Sequence, residues 1–238
     1  MRAFGAAAVT AAFCFLAFLA KADTDTPKSP TILLFAGTDL WRDGAFLYGG
    51  FLWSPASLNT DGFTLKLLLA GGTYVYPSST LQTDVDGRLL SASALPGWRV
   101  TSEGLTVALY AGPIIQDYRL SPNDPASLLR GSYAGAQIAT DMWYQPNPGT
   151  MAEFNASIAS IAAIGTARAA VGWRPYDSFF IGPEAQAFWC VDYQQWRLGV
   201  HVTGFRVDGF EWSAATGWAV ESDGRTGPYL RLGVNMRY

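Results

Sequence analysis

The last ten residues of the chain alternate between apolar and polar side chains, and this pattern restricts the fold more than any other feature. In residues 229–238 one phase holds Leu230, Leu232, Val234, Met236 and Tyr238, and the other holds arginine, glycine and asparagine. A period of two predicts a β-strand with one apolar and one polar face. Because the sequence stops on an aromatic residue, we interpret this strand as the last strand of an outer-membrane β-barrel. A soluble sandwich or a lipocalin-like barrel is the alternative.

The amino-terminal segment predicts export. Met1 and Arg2 give a positive start, residues 3–20 are almost wholly alanine, phenylalanine, leucine and valine, and Ala20-Lys21-Ala22 fits a small-x-small cleavage site. We therefore expect a signal peptide over residues 1–22, with a membrane anchor as the alternative reading of the apolar run. Residues 23–30 are polar with two prolines and are expected to form a periplasmic lead-in to a barrel over 31–238.

Composition favours membrane strands and excludes some partners. Aromatic residues make up 14% of the chain and there are 25 glycines, yet no long apolar segment follows residue 22. This suits strands whose apolar side chains face outer-membrane lipid and are diluted by alternation. With 16 basic against 19 acidic residues, no basic surface for nucleic acid is expected. Cys190 would be the one cysteine of the mature chain, so it cannot form a disulfide within that chain and is expected to be inert.

Period-two segments separated by turn residues predict an all-β, antiparallel, up-and-down barrel. The expected strands are 31–41, 45–54, 62–76, 88–95, 103–118, 130–145, 151–164, 167–175, 179–191, 194–206, 209–221 and 227–238. The strand at 88–95 is the weakest, and we expect Pro96-Gly97 to turn the chain after it. Including it gives twelve strands, which the even strand number of single-chain bacterial barrels favours, with ten as the alternative.

The direction of each strand follows from placing both chain ends in the periplasm. The connections at 77–87, 119–129 and 222–226 then face the outside, and those at 146–150, 176–178 and 207–209 face the periplasm.

The polar phase of the strands is expected to face the lumen, because a charge at the centre of the lipid face costs about 2–4 kcal/mol. This phase contains Lys66, Tyr74, Tyr110, Gln137, Asp141, Arg168, Arg174, Glu184, Gln186, Phe188, Cys190, Asp192, Arg197, His201, Glu211, Arg231 and Arg237. Two interpretations remain open. The arginines and acids pair across strands and fill the barrel, or they form a conduit or binding surface for a sugar chain. In the second case Tyr74, Tyr110 and Phe188 would offer ring faces. Arg206 falls in the lipid-facing phase, next to the 207–209 turn.

Catalytic patterns are weak. Centring a turn on Asp208 places His201 opposite Ala215 and Thr203 opposite Ser213, so that Ser213 is diagonal to His201 and Glu211 is nearby. A serine–histidine–acid site is one interpretation, and an ordinary polar lumen histidine is the other. Asp141, Glu184 and Glu211 could also pair as glycosidase carboxylates. The sequence shows no metal, phosphate-loop or cofactor motif, and we expect no enzyme, metal or cofactor.

Several segments together resemble the cellulose biosynthesis protein BcsS family of Gram-negative bacteria. They are residues 43–50, 61–72, 96–98, 112–113, 129–131, 141–146, 171–174, 182–184 and 199–204. The resemblance implies an accessory outer-membrane component of cellulose production or export, with the cellulose chain and parts of the cellulose synthase complex as partners. Resemblance to outer-membrane barrels likewise implies that the final strand is recognised by the barrel-assembly machinery.

The leading hypothesis is therefore a conduit, docking site or anchor for exopolysaccharide secretion. The alternatives are a barrel enzyme acting on lipid A or glycan, and a porin for small solutes.

Overall fold

The computed structural model describes residues 29–176, 178–191 and 193–238, which form a closed antiparallel barrel of twelve strands. The strands are β1 (Ile32–Trp41), β2 (Gly44–Trp53), β3 (Gly62–Ser78), β4 (Thr83–Ser102), β5 (Leu105–Ser121), β6 (Gly131–Asn147), β7 (Thr150–Ala159), β8 (Gly165–Tyr176), β9 (Phe179–Cys190), β10 (Tyr193–Val207), β11 (Phe210–Glu221) and β12 (Thr226–Arg237). Each pairs with its neighbours in sequence, and β12 pairs with β1. The predicted fold class and strand number are confirmed. Within the described ranges no helix is both long and apolar enough to cross a membrane.

The predicted signal peptide, most of the predicted lead-in, Asp177 of the predicted 176–178 turn, and Asp192 lie outside the described residues.

The final strand closes the barrel. Its register against β1 runs from Leu33 opposite Arg237 to Trp41 opposite Tyr229. The backbone N–H of Tyr238 donates to the carbonyl of Ile32 at 2.8 Å, and that of Thr31 donates to the carbonyl of Tyr238 at 2.6 Å. Both ends of the described chain therefore lie at the same end of the barrel, which we call the terminal end. We expect it to face the periplasm.

Alternation sorts the side chains as predicted. The outer face carries exposed apolar residues on nearly every strand, including Leu69, Leu90, Trp98, Leu109, Ile138, Val171, Trp173, Leu198, Trp218, Leu230 and Leu232. Residues of the opposite phase, such as Tyr110, Glu184 and His201, are buried. The lipid-facing surface is thus an apolar belt, and the polar residues are enclosed.

The predicted turn at Pro96-Gly97 is wrong, because both residues lie inside the 20-residue strand β4. Pro96 pairs with Leu65 of β3, which keeps the chain extended. On the β5 side the pairing stops at Ser93 and resumes at Gly97. A proline lacks the N–H that a ladder needs, so one side of the strand is interrupted while the other holds its direction. The predicted strand at 88–95 was therefore too short.

The predicted end of the seventh strand is also wrong. β7 ends at Ala159 and not at residue 164, and a turn follows in which Ala162 and Ala163 have φ values of 47° and 50°. Alanine rarely adopts this left-handed conformation, and the segment contains no glycine, proline or asparagine that would have signalled a turn.

A β-bulge in β10 changes the side that Arg206 faces. The register shifts between Thr203 and Phe205, where Gly204 has a φ of 84°. One extra residue reverses the alternation, so Arg206 stands directly opposite Glu211 and lines the inner cavity. The prediction of a lipid-facing Arg206 is corrected.

Candidate functional site

The register places the residues predicted for the lumen, Asp192 aside, on the inner face of the barrel. Lys66 stands in line with Leu95 and Leu52, Gln137 with Ala159, Asp141 with Asn155, and Arg168 with Gln186. Most of the charged members form ion pairs or hydrogen bonds with residues on other strands, and these contacts define three clusters inside the barrel.

The first cluster surrounds Glu184 of β9, whose side chain is fully buried. Arg168 of β8 approaches its Oε2 at 2.9 Å, and Arg231 of β12 approaches the same oxygen at 2.6 Å. The hydroxyl of Tyr229 and the amide of Gln186 donate to Oε1 at 2.9 and 2.6 Å. Arg168 also pairs with Glu153 at 2.7 Å. Charge-assisted bonds of this kind are the strong ones, so the carboxylate fastens β12 to β9 through the interior.

The second cluster is centred on Arg197 of β10. Its guanidinium pairs with Asp39 of β1 at 2.5 Å, and its Nε donates to Gln195 at 2.7 Å. The same guanidinium lies over the rings of Trp41 and Tyr229, at 5.0 and 5.3 Å from the centroids. Arg197 is thus held by a carboxylate and two aromatic faces.

The third cluster combines an ion pair with apolar side chains. Lys66 of β3 reaches Asp141 of β6 at 2.5 Å and lies 4.9 Å from the centre of the Tyr110 ring. Leu52, Leu95 and Tyr110 pack beside this pair, and Leu58 of the β2–β3 connection folds into the lumen against them. This part of the barrel is filled like a protein core.

Contacts also cover the end of the barrel opposite the terminal end. Arg225 of the β11–β12 connection binds Asp43 at 3.1 Å and Glu221 at 3.1 Å, and donates to the carbonyl of Val75 on β3 at 3.2 Å. Below it, Tyr74 of β3 and Tyr118 of β5 lie close enough to Cys190 of β9 to interact electrostatically.

The β5–β6 connection is fastened over the same end by Asp124, which is buried. It accepts hydrogen bonds from the hydroxyl of Tyr76 at 3.2 Å and from the backbone N–H of Ala126 at 3.0 Å. A hydrogen bond from Ser78 holds the pKa of Asp124 below its ordinary value.

Of the rings predicted to meet a sugar chain, Tyr110 is buried and Tyr74 is half-buried, whereas Phe188 is 36% exposed. Tyr74 stacks on Tyr76 with centroids 6.2 Å apart, and Phe188 contacts the Tyr193 ring at 5.9 Å. Tyr110 is 2% exposed.

His201 does not form a serine–histidine–acid site. The predicted register is confirmed, with His201 opposite Ala215 and Thr203 opposite Ser213. However, Nδ1 contacts the Thr203 hydroxyl at 2.9 Å, and Nε2 lies 3.1 Å from the carbonyl of Val171. A carbonyl only accepts, so Nε2 carries a proton and donates it. Both nitrogens are therefore occupied, and Ser213 is not a partner of either.

The candidate carboxylates are likewise engaged. Asp141 is paired with Lys66, Glu184 with two arginines, and Glu211 with Arg206 at 3.0 Å. Over the residues that the structure describes, no group of three or more histidine, cysteine or acidic side chains could hold a metal ion.

A cavity of about 570 Å³ opens at the terminal end, and we call it the vestibule. Its charged lining residues are Arg99, Arg174, Arg206, Arg237 and Glu211. Sequence reasoning placed Arg174 and Arg237 in the lumen but missed Arg99. Arg99 falls in β4, where the predicted turn at Pro96-Gly97 broke the alternation.

The family profile described as "Cellulose biosynthesis protein BcsS" matches residues 33–238. The chain belongs to the BcsS family. The predicted resemblance is therefore confirmed, and the match covers the whole barrel apart from its first strand residue. Membership of the BcsS family relates this barrel to cellulose biosynthesis. A search of curated protein sequences found no match.

Solved structures similar to the BcsS-family barrel are outer-membrane proteins. The COG4313 outer membrane channel from Pseudomonas putida F1 has a TM-score of 0.57 and 9% identity, with 92% of this chain and 100% of that chain covered. The CymD monoaromatic hydrocarbon channel has a TM-score of 0.54 and 8% identity, with 89% of each chain covered. LpxR from Salmonella typhimurium has a TM-score of 0.52 and 10% identity, with 87% of this chain and 100% of that chain covered.

At such low identity these neighbours show the fold and not the activity. With the family match and the apolar outer belt, the predicted location in the outer membrane is confirmed.

Proposed function

We propose that this BcsS-family barrel is an outer-membrane docking site for the periplasmic part of the cellulose-assembly machinery, and not the channel through which the glucan leaves. Family membership supplies the process, and the interior of the barrel supports the choice of role. Components of the cellulose synthase complex are the partners that this function requires.

The observation that carries the proposal is the set of buried ion pairs inside the lumen, two of which join strands three positions apart in the barrel. Glu184 is held by Arg168 and Arg231, and Arg197 is held by Asp39. For a glucan to pass, these pairs would have to separate, and breaking one buried pair costs about 3–5 kcal/mol. A chain with neutral hydroxyl groups cannot replace carboxylate–guanidinium bonds of this strength. The network therefore favours a filled barrel.

The vestibule provides the accessible surface that docking needs. It opens at the terminal end, which the expected orientation places in the periplasm, where a partner fixed to the inner membrane can reach. No catalytic group is required for this role, and we propose that the protein is not an enzyme.

Deleting the gene tests the docking function. Secreted cellulose, measured by dye binding and pellicle formation, should fall, while cellulose synthase activity in isolated inner membranes should remain. Unchanged dye binding and pellicles, under conditions where the parent strain makes cellulose, would refute the proposal.

Cross-linking two strands inside the lumen distinguishes a docking role from passage of glucan through the barrel. Lys66→Cys and Asp141→Cys, combined with Cys190→Ser, give two cysteines in place of the ion pair between β3 and β6, and a short bis-maleimide can then join them. If the barrel is a docking site, cells with the joined protein should secrete as much cellulose as the same cells without the reagent. A loss of secretion that appears only on joining would show that glucan passes through the barrel.

Conductance gives an independent measurement. The purified barrel in planar lipid bilayers should show no steady open channel. A large and stable conductance would instead support the porin alternative.

A further inference from the structure

We propose that the vestibule is a carboxylate-binding pocket that receives an acidic, partly apolar peptide segment of a periplasmic protein. This inference rests on the docking function proposed above and names the chemistry of the partner.

The charges of the vestibule are unbalanced. Among the residues that the structure describes, four arginines line it, against the one carboxylate of Glu211. Arg206 is paired with Glu211 at 3.0 Å. Within residues 29–176, 178–191 and 193–238, Arg99, Arg174 and Arg237 have no ion pair. This contrasts with Arg168, Arg197 and Arg231 in the middle of the lumen, each of which binds a carboxylate. The vestibule therefore presents a net positive field to the solvent at the terminal end.

Two of these arginines have unused donors. The Nε atoms of Arg99 and Arg174 are buried without a hydrogen-bond partner, and Arg99 as a whole is 6% exposed. One terminal nitrogen of Arg99 donates to the carbonyl of Leu58, which fixes the side chain in the wall. Buried donors are normally satisfied, and a carboxylate accepts two parallel N–H groups of a guanidinium. An arriving carboxylate would supply the missing acceptors.

Apolar side chains share the lining with the arginines: Leu33 pairs with Arg237, and Leu52 and Leu58 line the same cavity. A pocket in which cationic and apolar side chains lie next to each other fits a peptide that alternates acidic and apolar side chains. It fits a neutral glucan poorly. The ring that a sugar could stack on, Phe180, is 2% exposed and has the Arg174 guanidinium 4.2 Å from its centroid. Trp143 meets Phe180 edge-on at 6.1 Å.

Isothermal titration calorimetry on the purified barrel in detergent micelles tests the ligand chemistry. The probes are acetyl-Leu-Asp-Leu-Asp-Leu-amide, its neutral counterpart acetyl-Leu-Asn-Leu-Asn-Leu-amide, cellohexaose and inorganic phosphate. We expect the acidic peptide to bind, with an affinity that falls roughly tenfold or more between low and high salt because exposed charges are screened. The neutral peptide and cellohexaose should not bind. Stronger binding of cellohexaose than of the acidic peptide, or binding of phosphate alone, would overturn the inference.

Variants locate the binding site. Arg174→Gln and Arg237→Gln should each lower the affinity for the acidic peptide by about tenfold, as expected for one lost charge-assisted contact. Glu211→Gln should raise it, because this change removes the one carboxylate among the described residues of the lining. Arg119→Gln is the matched control, since Arg119 is exposed on β5, away from the vestibule, and pairs with Asp117. If Arg174→Gln and Arg237→Gln both fold and bind the acidic peptide with unchanged affinity, a binding site in the vestibule is refuted.

The two proposals can fail separately. If gene deletion lowers cellulose output but the acidic peptide does not bind, docking stands and the carboxylate pocket is wrong. If the peptide binds but deletion leaves cellulose output unchanged, the pocket stands and the docking function is wrong.

Discussion

Replacing Glu184 with glutamine should destabilise the barrel more than any other single neutralisation of a lumen acid. The side chain keeps its shape, and the amide oxygen can still accept the hydroxyl of Tyr229, which now binds Glu184 at 2.9 Å. Two cations lose a carboxylate. Arg168 keeps Glu153 at 2.7 Å, whereas Arg231 has no second ion pair in the described part of the chain.

The expected cost follows from this difference. Removing one partner of a buried ion pair costs about 3–5 kcal/mol, because a buried charge is left uncompensated. Only Arg231 is stranded, and the side chains of Arg231 and Arg168 are 12% and 13% exposed. We therefore expect the lower end of the range, about 3 kcal/mol.

The free energy of unfolding can be measured by urea denaturation of the barrel in lipid vesicles, followed by tryptophan fluorescence. Glu211→Gln is the matched control, because its partner Arg206 is 75% exposed and exposed pairs contribute about 0.2–1 kcal/mol. Adding Arg231→Gln to Glu184→Gln should recover part of the loss, since the stranded charge disappears. A Glu184→Gln protein as stable as Glu211→Gln would show that the network does not hold the barrel.

Three further outcomes are expected. Deleting Tyr238 should lower the amount of assembled barrel in outer-membrane fractions far more than Asn235→Ala, because the deletion removes backbone hydrogen bonds to Thr31 and Ile32 at the closing seam. Tyr238→Lys keeps these bonds but places a charge at the end of the apolar phase of β12, and it should also lower assembly more than Asn235→Ala. Equal losses for the three variants would contradict this. His201→Ala should leave cellulose output nearly intact. Arg197→Glu should reduce assembly or secretion, because the new glutamate places a second carboxylate next to Asp39. A folded His201→Ala barrel that loses all function would instead support the enzyme hypothesis. The β5–β6 connection should stay protected from proteolysis above the ordinary aspartate pKa of about 3.8, and it should open as the pH falls through the lower pKa of folded Asp124. Asp124→Asn should remove this pH dependence. An Asp124→Asn protein with an unchanged pH profile of proteolysis would refute the prediction.

Alternation predicted much of the fold, and the failures have local causes. The final strand and the outward faces of β8, β10 and β11 followed from a period of two, because lipid tolerates few charges, and the strand number followed from the even number of strands in single-chain bacterial barrels. The turn predicted at Pro96 failed because pairing with Leu65 of β3 outweighs the local preference of a Pro-Gly pair. The predicted orientation of Arg206 toward lipid was wrong because a bulge at Gly204 inserts one residue into β10 and reverses the alternation of inward and outward side chains.

The partners of the lumen charges could not be predicted from spacing. Arg197 binds Asp39, 158 positions away, and such contacts depend on the curvature and register of the closed barrel. Asp39 was missed altogether, because residues 32–35 of β1 are apolar on both phases and hide the alternation. The sequence therefore predicted which residues face the lumen and left open how they pair. That pairing separates a filled barrel from a conduit.

The ion pairs that span the β12–β1 seam affect whether a molecule could leave the barrel sideways. Arg197 on β10 binds Asp39 on β1, and Arg225 before β12 binds Asp43 after β1. The first bond spans the seam inside the lumen, and the second spans it at the end opposite the terminal end. Sideways opening of the wall between the first and last strands would have to break them together with the backbone ladder. Lateral release into the membrane is thus opposed by the same side chains that fill the lumen, and exchange with the surroundings is directed to the terminal end.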